Sequence, residues 1–386
     1  MFKVAVGHSN DPDSYCAIAE VLEQCQKSLA GEIPNAGILF AAIDFEHNLI
    51  LQEIARVFPG IELIGGTTDG EISSVLGFEQ DSLTLTVFCT DNTNLKILAG
   101  IGENISLDPV AATSKAVEQA LSKSGDQAAT ICLTVPETLG SSGVSILNGL
   151  KLALGQQVPI FGGLAADQNR FKQTYQFFKT KVFSDSVPVL LFCGELLFSH
   201  GVASGWNPIG KKSLVTSADK HIVYEIDGKP ALHFYHRYLG SLTPTPEYPL
   251  AVYGDVTEQF YMRAPKNHDS SNGSITFFAD VPNQALVQIT QASRDDILTA
   301  SKTSMLSALE NYPGVEPKVV LFFSSASRKQ ILGTRAQEEY QIAKSCLKME
   351  LPCCGFYANG EISPNPGSNW TYFHNETFVT LILGEK

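Results

Sequence analysis

The feature that most constrains this chain is a unit that recurs along it. In each copy a short apolar run leads into a helical pattern, then a proline or short apolar step, then a glycine turn. The first reads Ile38-Leu39-Phe40, a helix near His47 to Phe58, Pro59, and Ile64-Gly65-Gly66-Thr67-Thr68-Asp69-Gly70-Glu71-Ile72-Ser73. The second reads Ile131-Cys132-Leu133, a helix near Val144 to Leu154, and Pro159-Ile160-Phe161-Gly162-Gly163, with Asp167 beyond. The last reads Val320-Leu321-Phe322, a helix after Thr334, and Pro352-Cys353-Cys354-Gly355-Phe356-Tyr357-Ala358-Asn359-Gly360-Glu361-Ile362-Ser363. In the first and last, a glycine stands five residues before Gly-Glu-Ile-Ser. The same tetrapeptide at the same point of the same strand-helix-strand order marks an internal duplication.

Such a repeat predicts an α/β mixed (α+β) fold: two related domains built from duplicated strand-helix-strand units, with mixed β-sheets flanked by helices. Strands are expected at Gly37 to Ile43, Ser82 to Phe88, Ala129 to Val135, Val187 to Cys193, Ile275 to Phe278, Val319 to Phe323 and Thr377 to Leu383, all rich in β-branched or aromatic residues. Helix starts are signed by Asp11-Pro12, by Asp108-Pro109, and by Thr334 with Gln337 as a capping box. The region Ser213 to Gln291 is less regular, with a Pro-rich loop at 243–249 and a hairpin connection at 267–273. A boundary near Pro208 to Ser217 gives domains 1–212 and 213–386.

Charge limits the partners. With 27 basic and 40 acidic side chains the net charge is −13, and no basic stripe exists to displace counterions from nucleic acid or to hold an anionic membrane surface. The longest apolar stretch, Val187 to Gly194, is cut by Glu195 far short of the ~20 residues that cross a bilayer. No signal peptide is visible, and the eight cysteines sit mostly inside apolar runs with no C-x-x-C pair, as in a reduced cytoplasmic protein. No metal-ligand spacing occurs around the histidines, so neither metal nor cofactor is expected.

Ile64 to Ile72, Pro159 to Asp167, Val223 to Ala231, and Gly355 to Ser363 with Phe373-His374-Asn375-Glu376-Thr377 resemble, in this order, the motifs of the FIST family, both its N-terminal and its C-terminal domain. FIST is a sensory module of bacterial signalling proteins, also found in some F-box proteins. The resemblance covers nearly the whole chain. It departs from the family where many members carry a cysteine ahead of the arginine equivalent to Arg328, and this chain has Ser324-Ser325-Ala326-Ser327. The resemblance implies small-ligand binding, with amino acids proposed for the family, and no defined reaction. The last expected strand ends at Leu383, so the signal is expected to pass to a separate output protein.

The residues themselves supply candidates for the site. Gly65, Gly66, Gly162, Gly163 and Gly355 let backbone N–H groups approach a ligand, with Thr67 and Tyr357 in the same turns. Equally, they are the glycines any tight turn demands. Glu71 and Glu361 hold equivalent positions and are candidates to meet a ligand amine, or simply to accept turn N–H bonds. Ser141, Ser142 and Gly143 open a helix whose N-terminus can hold a carboxylate or phosphate, or merely be capped. Arg328 is a bidentate partner for a ligand carboxylate, or for Glu338 or Glu339. Cys354 is a candidate thiol or an inert buried side chain, and His374 and Asn375 precede the final strand. The expected function is a receptor whose cleft is lined by duplicated glycine turns. Two rivals stand beside it: an enzyme using Cys354 or Glu361, and a protein-interaction scaffold.

Overall fold

The computed structural model describes residues 1–140, 142–254, 260–365 and 370–385. Its fold class is the expected one, and the recurring unit organises it. Three six-stranded sheets enclose one apolar core, formed by Val4, Phe40, Phe88, Ile97, Leu133, Phe161, Phe192, Leu321, Phe356 and Leu381 among others. The first sheet runs Phe2–Ser9, Leu83–Thr90, Ala36–Ala41, Glu62–Thr67, Gln176–Phe178, Lys181–Phe183. The second runs Leu95–Glu103, Ser186–Gly194, Ala129–Thr134, Ile160–Gly163, Glu361–Pro364, Thr371–His374 in reverse of the same sense. The third runs Leu197–Ala203, Phe378–Gly384, Val319–Ser325, Cys353–Ala358, Glu71–Ser73, Gly77–Glu79. Written from the outer edge, the three orders are the same.

In each sheet the central pair is parallel and joined through a helix, as a strand-helix-strand unit requires. The second strand of the pair comes very close to the first. A Cβ on Gly65, Gly162 or Gly355 would lie 1.9, 1.9 and 2.2 Å from the carbonyl oxygens of Leu39, Thr134 and Phe322. These glycines are therefore fixed by close approach of one backbone to another. The sheets' outer faces are covered by two helices each: Ser14–Leu29 and His47–Val57, Pro109–Leu121 and Gly143–Leu154, Arg294–Glu310 and Ala336–Lys344.

The terminal hairpin of each sheet is donated by another unit. Glu71–Ser73, just after the first unit's turn, pairs with Cys353–Ala358; Glu361–Pro364 pairs with Ile160–Gly163; Gln176–Phe178 pairs with Glu62–Thr67. This cyclic exchange ties both ends of the chain into the same core. The division expected at residues 212 and 213 falls inside the strand Asn207–Asp219, which carries the chain into a fourth sheet of eight strands. The outermost strands of that sheet, Phe260–Arg263 and Pro265–Asp269, are one residue apart, and the helix Ala231–Leu239 packs Phe234 and Tyr235 into its core.

Two local expectations need correction. The first helix is capped by Asp13, whose carboxylate accepts the Cys16 N–H, while Asp11 and Pro12 lie before it. Thr334 caps no helix: Gly333 at φ +58° breaks the chain into Ala326–Leu332, a 3₁₀ turn Gly333–Arg335, and Ala336–Lys344, leaving Thr334 inside the turn. The one capping box is at Ser293 and Asp296 among the described residues.

Candidate functional site

Beyond each glycine turn the chain crosses to the next sheet, and the three crossings interlock in a ring. Tyr357 donates to the Gly70 carbonyl (2.9 Å) and accepts from Asp69 (3.0 Å); Leu164 donates to Gly360 (2.9 Å) and accepts from Asn359 (3.2 Å); Thr67 donates to Tyr175 (2.9 Å) and accepts from Ala166 (2.8 Å). Each crossing delivers one buried polar side chain to the interior: Glu71, Glu361 and, third in the set, Gln176. Each meets a hydroxyl at the head of the adjoining sheet's next strand. Ser82 Oγ donates to Glu71 at 2.5 Å, Thr377 Oγ1 to Glu361 at 2.7 Å, and Ser186 Oγ to Gln176 at 3.1 Å. Glu71 and Glu361 thus occupy two of three equivalent junctions. Thr68 also donates to Glu71, and the imidazole of His8 links Ser82 (2.9 Å) to Ser73 (2.7 Å).

The junction at Glu361 also differs from the other two in the surroundings of its neighbouring acid. The residue before each hydroxyl is acidic: Asp81, Asp185 and Glu376. Asp81 accepts from Gln168 at 2.6 Å, and Asp185 accepts from Ser106 N and Oγ at 2.8 Å each. Glu376 is fully buried at φ +60°, and neither of its carboxylate oxygens has a hydrogen-bond partner of normal geometry, although the Ser327 hydroxyl lies beside it. Glu361 Oε1, Asn375 Oδ1 and Asp69 Oδ1 are buried and unpartnered as well. Asn169, Ser325, Ser327, Asn359, Asn375 and Glu376 surround a cavity of about 20 Å³, with Phe171 and Phe278 beside it, stacked at 6.2 Å. That is room for one water-sized group.

Burial dominates the electrostatics here. It pushes the Glu376 carboxyl up to about 8 and the Glu71 carboxyl up to about 8. Glu361 is raised well above the ordinary carboxylate range by burial, with the neighbouring Glu376 adding to it. Asp69 is raised by burial even though Lys329 Nζ lies 3.2 Å from its Oδ2. At neutral pH the Glu71 and Glu376 carboxyls are therefore mostly protonated, and a cation placed beside either would favour its ionised form.

The remaining expected residues fall as follows. Gly66 and Gly163 lie inside the ring, where a Cβ would meet Val135 and Ala358 at 2.8 and 2.5 Å. Thr67 accepts the Tyr175 N–H through its hydroxyl (3.1 Å). The donors of Arg328 are engaged by the protein: Nε and Nη2 by Glu339 (2.8 and 2.5 Å), Nη2 also by the Ile297 carbonyl, and Nη1 by the Ser204 and Glu376 carbonyls. Tyr357 donates to the same Glu339 at 2.8 Å. Cys354 is buried against Thr84 (3.6 Å), and burial pushes its thiol up to about 11. Buried His374, held to the Ser363 carbonyl at 3.0 Å, is pushed down to about 4 by burial. Ser142 is an N-cap without a side-chain cap bond, 3.4 Å from Asp280, and Gly143 abuts the Phe373 ring. Ser141 lies outside the described residues.

Asp69, Asn169, Gln176, Lys329 and Glu376 also stand at these junctions, beyond the residues expected from the sequence. A signal for one of them existed: an acid, a hydroxyl and an apolar strand recur as Asp81-Ser82-Leu83, Asp185-Ser186-Val187 and Glu376-Thr377-Phe378. No group of three His, Cys, Asp or Glu suited to a metal ion occurs among the described residues, and no helix there is long and apolar enough to cross a membrane.

The α/β scaffold is triply repeated with a polar junction at its centre, and comparison with known proteins gives its family. The FIST N domain matches residues 35–229 and the FIST C domain residues 231–364, so the chain belongs to the FIST family, whose domains are described as small-ligand sensory domains of signal transduction. An uncharacterised protein of Methanocaldococcus jannaschii is 33% identical over 151 residues, 37% of this chain and 28% of that protein, so the match spans under a third of its length. Uncharacterised proteins of Mycobacterium tuberculosis and Mycobacterium bovis are 23% identical over 385 and 388 residues, covering 95% of this chain and 96% and 95% of theirs. A solved cyanuric acid hydrolase from A. caulinodans aligns over 100% of both chains at 12% identity and a TM-score of 0.42, a likeness too loose to bear on chemistry.

Proposed function

We propose that the chain is a receptor for a small metabolite bearing a protonated amine, an amino acid first among them, and that it reports occupancy to a separate output protein in the cytoplasm. The observation that carries this reading is the buried Glu376 carboxylate at the cavity wall, neither of whose oxygens has a partner of normal geometry, with the unpartnered Asn375 Oδ1 beside the same cavity. A buried acceptor without a donor costs about 1–3 kcal/mol, and a ligand supplying N–H groups recovers it. Lys329 is already paired with Asp69, and an ammonium group would bring a further positive charge to this acidic cluster.

The 20 Å³ cavity admits the ammonium end alone. The rest of the ligand would lie at the aromatic pair Phe171 and Phe278, where Lys266 Nζ stands 5.8 Å from both ring centres and would face the ligand's carboxylate. Lys266 takes this part because the donors of Arg328 already serve Glu339 and backbone carbonyls. Arg328 instead fixes the Glu376 main chain, and the glycine turns hold the three crossings in register.

Calorimetry with an amino-acid panel, set beside the matching 2-hydroxy acids, tests the reading. Heat with amino acids and none with their hydroxy counterparts is expected; equal response to both, or to neither, overturns it. An enzyme built on Cys354 has less support, since a buried thiol pushed up to about 11 is not a thiolate at neutral pH.

A further inference from the structure

Where the third sheet meets the free edge of the first, a groove of about 560 Å³ opens beside Val4, Ala5 and Val6, walled by Ser74, Val75 and the segment 344–352. Among the described residues the strand Phe2–Ser9 pairs on one side only, with Leu83–Thr90. On its other side Phe2 N–H donates to Glu385 (2.8 Å) and His8 N–H to Gln24 (2.8 Å), so the backbone N–H groups of the even-numbered residues face away from Leu83–Thr90. Val4 and Val6 lie between them, and their outward N–H groups have no partner among the described residues. An open sheet edge of this kind is a template for an added strand.

The molecule's own repetition shows what such an edge accepts. The equivalent strand of the second sheet, Leu95–Glu103, meets the first sheet in the same way, and Ala99 corresponds to Val6, each standing just before the edge-strand glycine, Gly100 or Gly7. There the Ala99 N–H is taken by Glu62 (3.1 Å), and the same carboxylate is held by Lys123 (2.9 Å) and Lys179 (3.1 Å). Glu62 stands three residues before Gly65, and three residues before Gly355 stands Pro352. Pro352 has no carboxylate to offer, so the Val6 N–H is left open. The groove nevertheless keeps two lysines, Lys344 and Lys348, against one acid, Glu350, in a chain whose net charge is −13.

We propose that this groove docks an extended acidic segment of a partner protein. The segment adds a strand beside Val4–Val6 and places an Asp or Glu carboxylate where Glu62 sits in the sister junction, between the Val6 N–H and the two lysines. This surface is separate from the ligand site, and the proposal does not rest on the receptor reading.

The test is to pan a displayed library of random heptapeptides against the intact chain, then measure the recovered peptides by fluorescence anisotropy. Acidic, β-prone sequences are expected, binding at least tenfold more weakly to K344E/K348E and more weakly still as salt rises. P352E, which installs the sister junction's carboxylate, is expected to fill the site and block the peptide. Recovery of no peptide, recovery of neutral or basic ones, or acidic peptides indifferent to both variants overturns the proposal. Sedimentation that shows a dimer lost in K344E/K348E overturns it in favour of a second copy of this chain.

Discussion

If Glu376 is buried without a partner, replacing it by glutamine should make the protein more stable, and by an amount set by pH. The side chain keeps its shape in Glu376→Gln, exchanges one carboxyl oxygen for an NH2 group, and loses the ability to ionise, so the pH-dependent part of the difference reports the ionisation alone. In the folded chain its carboxyl is pushed up to about 8 from an ordinary 4.5. Between these values the native state holds a proton that the unfolded state has released, so native stability falls as pH rises through this window. At pH 7 two and a half units separate the solution from the unfolded group, and at about 1.36 kcal/mol per unit the penalty is about 3 kcal/mol. Below pH 4.5 both states are protonated and the penalty vanishes. Urea unfolding of the two proteins at pH 4.5, 6, 7 and 8 measures the difference directly, and the other buried acids cancel in the comparison. We expect the advantage of E376Q over wild type to grow by about 3 kcal/mol between pH 4.5 and pH 7. A difference that stays constant with pH would refute the reasoning, because it would mean Glu376 titrates alike in both states.

Other outcomes follow from the same structure. Gly65→Ala or Gly355→Ala drives a Cβ to within 1.9 or 2.2 Å of a carbonyl oxygen that the sheet holds in place, and should cost more than about 3 kcal/mol in thermal melts. Gly60→Ala, where the φ is +80° and nothing lies within 4 Å, should cost only about 1–2 kcal/mol. Arg328→Met strands the buried Glu339 carboxylate and should destabilise by about 3–5 kcal/mol, part of which a second change, Glu339→Gln, restores. Titration with an aromatic disulfide should label Cys16, the exposed thiol, at once, while Cys353 and Cys354 stay silent until urea unfolds the chain.

Much of the scaffold is legible in the sequence because its determinants are local. The three strand-helix-glycine runs show as apolar periodicity, and the close approach at Gly65, Gly162 and Gly355 permits no side chain. The equivalence of Glu71 and Glu361 shows through because their spacing from the turn glycine is unchanged. Gln176 is hidden for the opposite reason: it lies 14 residues after Gly162 where Glu71 lies 6 after Gly65, an insertion of eight, and it has lost the carboxylate. The exchange of hairpins between sheets leaves no local trace, since a two-residue or three-residue pairing with a distant strand has no period of its own. Glu376 is hidden in another way. An acid before a hydroxyl at a strand head is ordinary, and only the tertiary fold decides that Asp81 and Asp185 find well-placed hydrogen-bond donors while Glu376 is enclosed with no bond of normal geometry. The pairing of Arg328 with Glu339 was one of two partners open to it from sequence, and burial of both side chains selects it.

Proton release on ligand binding tests the central claim most directly. Glu376 is mostly protonated at pH 7, so an ammonium group that pairs with it must expel its proton. Calorimetric titration of the bound amino acid in buffers of different ionisation enthalpy counts that proton. The account predicts close to one released per ligand at pH 7 and none in E376Q. Binding with no proton released from the wild-type protein would contradict it.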